Sequence, residues 1–84
     1  MAGGHPLKQH ELPFGWGRMT TFTGKVTGYI SNAGAAMPNE HGAGWVICPC
    51  NQQGQVMLDE RLEGVRFDDP HAAIMAVELR WPRR

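Results

Sequence analysis

Residues 68–81 read DDPHAAIMAVELRW, and their reading decides the fold. Asp68 and Asp69 offer oxygens to cap the free N–H groups at a helix start. Pro70 suits a first helical position, where its missing N–H costs nothing, and His71 to Trp81 is made of good helix formers. The spacing predicts one C-terminal helix of about three turns. Ala72, Met75, Ala76 and Leu79 form one apolar stripe, and Ile74, Val77 and Trp81 form a second. A helix apolar on two sides needs two covers: a sheet supplies one, and the N-terminal segment or another chain supplies the other. Arg80, Arg83 and Arg84 stand where the helix dipole is negative, an adequate structural reason for them.

Working upstream, QVMLDERLEGVRF (55–67) alternates through Val56, Leu58 and Leu62, and GWVICPC (44–50) has strand composition. With NQQG as the turn between them they read as a hairpin. Pro49 removes a ladder donor, so its strand needs an edge or a bulge there. NAGAAMPNEHGAG (32–44) is crowded with Gly, Ala, Pro and Asn and reads as a loop. TTFTGKVTGYIS (20–31) is rich in β-branched and aromatic residues, with Phe22, Val26 and Ile30 on one face and Thr23, Lys25, Thr27 and Tyr29 on the other. That is the first strand. Residues 1–18 hold four glycines, two prolines and two histidines without periodicity and read as a flexible arm or extension, with Met19 a candidate natural start. The expected fold class is therefore α+β: a three-stranded antiparallel meander and one C-terminal helix in a single domain spanning residues 19–84.

Composition narrows the function classes. Eighty-four residues allow one domain with a modest core. Lys+Arg 8 balance Asp+Glu 8, which gives no basic footprint for nucleic acid. No run is long and apolar enough for a membrane span, and the N-terminus has no apolar signal core, so the expected location is the cytoplasm. Cys48 and Cys50, one residue apart on a strand, would be strained as a disulfide and read as free thiols. With His5, His10, His41 and His71 they supply zinc-capable atoms, but without a second pair at ligand spacing no metal is expected, nor any cofactor. Asp59, Glu60, Arg61 and Glu63 read as a solvated face or as ion pairs across an interface.

Residues 29–81 resemble the opening of ribonuclease H domains. In that family a first strand ends in Asp-Gly, a glycine-led strand follows, and a helix carries a catalytic Glu. Here Ser31-Asn32-Ala33-Gly34 falls at the strand end, Gly42-Ala43-Gly44-Trp45-Val46-Ile47 matches the glycine-led strand, and His71 to Val77 matches the helix. The resemblance implies divalent metal ions held by carboxylates. Neutral Asn32 and ligand-free Ala73 stand at two of those positions, and the later Asp-bearing strand is missing, so the resemblance implies a catalytically inactive, truncated relative. Its first strand would have an unpaired edge that a second copy could complete. The expected function is thus a non-catalytic interaction module, a homodimer with a protein or small-ligand partner. Its interface residues are Tyr29, Trp45, Ile74, Val77 and Trp81. A degenerate enzyme fold of this size also suits the cargo of a mobile element. The alternative is a small nucleic-acid-binding β-domain of the OB or cold-shock kind, stacking bases on Tyr29, Trp45 and Phe22.

Overall fold

The computed structural model describes residues 7–40, 42–62 and 65–81. It is an α+β domain in which strands β1 (Gly17–Thr20), β2 (Val26–Ile30), β3 (Gly34–Pro38) and β4 (Trp45–Pro49) form an antiparallel sheet in chain order. One helix, α1 (Pro70–Arg80), packs across β3 and β4. The helix forms as its sequence predicts: the Asp69 carboxylate accepts the Ala72 N–H at 2.8 Å, and Pro70 opens the first turn. Among the described residues no helix is long and apolar enough to cross a membrane.

The meander has four strands rather than the three expected, for three local reasons. First, the 20–31 run is split. Thr21 N–H donates to the Lys25 carbonyl at 2.8 Å and Gly24, at φ 91°, closes the turn, a conformation that costs glycine little. Phe22, expected on one strand face with Val26 and Ile30, is fully exposed at the turn's tip.

Second, the expected loop contains β3. Gly34, Ala35 and Ala36 have low strand propensity, but burial overrides it. A Cβ on Gly34 would lie 2.9 Å from Val77 Cγ1 and 3.0 Å from Trp81 Cε3. Small residues on β3 are thus what lets α1 approach the sheet.

Third, the described residues of 55–67 do not form the expected third strand. They make single bridges, Cys50↔Val56 and Trp45↔Phe67, with a 3-10 turn at Leu58–Glu60 between them. Asp59 and Glu60 are poor strand formers, and the segment turns there. Its backbone still closes the outer edge of β4. Met57 N–H donates to the Pro49 carbonyl at 2.9 Å and Leu62 N–H to the Ile47 carbonyl at 3.2 Å, while Trp45 and Phe67 exchange both bonds.

Residues 1–6 of the expected arm lie outside the described residues. Residues 7–18 carry a 3-10 turn (Gln9–Glu11) and the start of β1. Leu7 and Leu12 pack against the core, and Trp16 is buried within it. Leu7 N–H donates to the Tyr29 hydroxyl, and Gln9 Nε2 to the Trp16 carbonyl at 2.8 Å.

The core lies between α1 and one sheet face. Tyr29, Ala36 and Ile47 stand in register on β2, β3 and β4 and meet Ala73, Ile74 and Val77 of the helix. Of the two stripes predicted on the helix, the one through Ile74 and Val77 is inside. The stripe through Ala72, Met75 and Leu79 faces outward, with Leu79 84% exposed. Periodicity alone could not choose between two apolar stripes; the close fit of Val77 and Trp81 over Gly34 makes the choice.

Candidate functional site

Tyr29, Trp45, Ile74, Val77 and Trp81 come together, but in the core rather than on a surface. Tyr29, Ile74 and Val77 have no exposed area and Trp45 retains 7%. Tyr29 and Trp45 stack on each other with centroids 5.6 Å apart. These residues hold the helix to the sheet.

The other chemistry-bearing residues are also accounted for locally. Cys48 and Cys50 are buried free thiols. Burial in apolar surroundings, reinforced by the neighbouring Cys50 and opposed by Arg61, pushes the Cys48 thiol up to about 11. A thiol held neutral in this way is a poor nucleophile. Cys50 Sγ donates to the Ser31 carbonyl at 3.5 Å. His10 and His71 are exposed on separate elements, and no group of three His, Cys, Asp or Glu able to hold a metal occurs among the described residues. His5, His41, Glu63, Arg83 and Arg84 lie outside the described residues.

Asn32 is exposed in the tight β2–β3 turn, which Ser31 organises by accepting the Ala33 and Gly34 N–H groups at 3.2 and 3.3 Å. Ala73 is fully buried under the sheet. One position faces solvent and the other the core.

The sheet face away from α1 is itself partly covered: Ala35 and Cys48 have no exposed area, Val46 retains 7%, and Met19 and Met37 are half-buried. Met19, Gly28, Met37 and Val46 lie across it in register on successive strands. Gly28 has no side chain to contribute: a Cβ there would sit 2.7 Å from Met19 Cε and 3.0 Å from Met37 Cγ, so the two methionines close over the glycine. Beside this row, Met37, Pro38, Glu40, Val46, Leu58, Asp59 and Arg61 line a groove of about 290 Å³. Arg61 Nη1 pairs with Glu40 Oε1 at 3.4 Å at the rim. Leu58 and Asp59 also line a wider hollow with Val56, Met57 and Glu60. The sequence signal for this surface was the mixed charge run at Asp59–Arg61. Its apolar floor was hidden because Met37 sat in a stretch read as a loop.

No family model, curated protein or solved structure matches this chain.

Proposed function

We propose that the chain is a non-catalytic interaction module that self-associates as a homodimer through the outer edge of β1. The supporting observation is the asymmetry of the sheet's two edges. The β4 edge is closed by backbone bonds from residues 57, 62 and 67, whereas among the described residues β1 pairs only with β2 in the sheet. β2, the strand first expected to be open, is paired on both sides. The irregularity between β1 and β2 places its extra residue, Thr27, in β2, so β1 stays regular for a further partner.

A two-fold axis pairing β1 with its copy allows two central registers. One sets Arg18 against Arg18, with like charges opposed. The other sets Met19 against Met19 and Arg18 against Thr20, which avoids that repulsion and extends the methionine row across both copies. We favour the second register. Non-catalytic character follows from residue type and place: neutral Asn32 in a solvent-facing turn and buried Ala73 supply no carboxylate where the ribonuclease H resemblance needs one.

The nucleic-acid reading loses its platforms, because two of the three aromatics it rests on are stacked in the core. Light scattering over a concentration series tests the proposal. The expected result is a dimer for the full chain and a folded monomer for Met19→Lys, whose like charges would meet at the axis. A full chain that stays monomeric at every concentration overturns it. Cleavage of an RNA–DNA hybrid in Mg²⁺ or Mn²⁺ would overturn the non-catalytic reading.

A further inference from the structure

We propose that the groove between the β3–β4 ends and the Leu58–Glu60 turn binds a short peptide segment of a partner protein that sets one apolar side chain beside basic ones. The proposal rests on the chain's being an interaction module and not on the dimer, since β1 lies at the other edge of the sheet.

Size is the first constraint. At about 290 Å³ the groove is at the bottom of the range for small-molecule sites, roughly 300–1,000 Å³, and holds one or two side chains. Its floor is Met37, Val46 and Leu58, and unbranched methionine adapts its shape to an incoming group. Leu58 is 62% exposed and ready to be covered.

Charge selects the occupant. Protein-wide the charges balance, Lys+Arg 8 against Asp+Glu 8, yet among the described residues the groove and its turn bring Glu40, Asp59 and Glu60 together against Arg61 alone. Arg61 is engaged with Glu40. Asp59 and Glu60 are exposed, and no described cation pairs with them. An acidic peptide would be repelled, and a neutral apolar one would leave both carboxylates unused. A Leu or Met flanked by Lys or Arg fills the floor and places its charges on Asp59 and Glu60, an attraction that added salt weakens.

Fluorescence anisotropy with the full-length chain tests this, using labelled peptides KLRLK, KSRSK and ELELE at low salt. The expected result is saturable binding of KLRLK, at least about tenfold tighter than either of the others, a preference of some 1.4 kcal/mol. Asp59→Lys with Glu60→Lys is expected to abolish the preference, and Leu58→Ser to weaken KLRLK several-fold. Leu79→Ser, on the outer face of α1, is expected to leave binding unchanged, and circular dichroism checks the fold of each variant. Equal binding of KLRLK and KSRSK, no binding of KLRLK, or unchanged binding by the folded double lysine variant overturns the groove. A dimer by light scattering that ignores every peptide overturns the groove alone, and a monomer that binds KLRLK overturns the β1 dimer alone.

Discussion

Tyr29 on β2 stacks on Trp45 on β4, ring centroids 5.6 Å apart and planes inclined by 27°, although β3 lies between their strands. The inward side chain of β3 beside Tyr29 is Ala36, which is fully buried and small enough for the rings to close over it. Three links of the fold meet at this pair. The Tyr29 hydroxyl accepts the Leu7 N–H, the rings cover the sheet, and Trp45 exchanges backbone bonds with Phe67 just before the helix.

Truncating Trp45 should therefore be severe. Trp45→Ala is expected to cost about 3–5 kcal/mol, a large share of the roughly 5–15 kcal/mol that holds a small domain together. Tyr29→Phe keeps the stack but leaves the Leu7 N–H without its acceptor, and is expected to cost about 1 kcal/mol. It should also speed proteolysis within residues 7–16. Urea unfolding measures the first effect and limited proteolysis the second; equal cost for the two variants would contradict this division of roles.

Gly34 sets the distance between helix and sheet. A methyl group there would lie 2.8 Å from the Cys48 carbonyl oxygen, which is backbone and cannot yield cheaply, as well as against Val77 and Trp81. Gly34→Ala is expected to destabilise by about 1–3 kcal/mol through overpacking. Gly17→Ala, with open space around its Cβ, should cost much less. Midpoints of urea unfolding for the two variants check this, and equal midpoints would mean that the helix shifts freely.

How much of this was legible follows from where local signals agreed with tertiary ones. The helix and its Asp69 cap were readable because capping, proline placement and propensity all point one way. β3 was not, because Gly and Ala name a loop unless one knows that α1 needs them small. Residues 55–67 alternate like a strand, yet Asp59 and Glu60 break it into a turn that still closes β4. The aromatic and aliphatic residues expected at an interface, Tyr29, Trp45, Ile74, Val77 and Trp81, lie in or against the core instead. Their burial depends on Trp16, Leu7 and Leu12, from a segment with no periodicity to announce it.

The two stripes of α1 give opposite responses to the same change. Leu79 is 84% exposed and Ile74 fully buried. Leu79→Lys is expected to shift stability by no more than about 0.5 kcal/mol, as for surface substitutions generally. Ile74→Ala should cost about 2–5 kcal/mol. Comparing the two midpoints by circular dichroism decides which stripe faces the sheet. A costly Leu79→Lys would show that the outer stripe is covered in solution, and the loss would then be concentration-dependent in the way a dimer interface requires.

Cys48 supplies a pH signature. Its thiol is raised from an ordinary 9.0 to about 11, chiefly by burial, with Cys50 adding to the rise and Arg61 opposing it. Between these values the unfolded chain has lost the proton that the folded chain retains, so unfolding gains free energy as pH rises. The stability contribution is complete below pH 9, falls through the window from 9 to about 11, and is gone above it. The readout is the difference between the native chain and Cys48→Ala, which isolates the thiol. Removing the thiol costs packing at every pH, a constant offset, and only the slope carries the titration. Urea unfolding from pH 8 to 11.5 is expected to bring the two curves together as pH rises. Parallel curves would mean that Cys48 ionises as readily folded as unfolded, and a buried thiol that does so must have water at its sulfur.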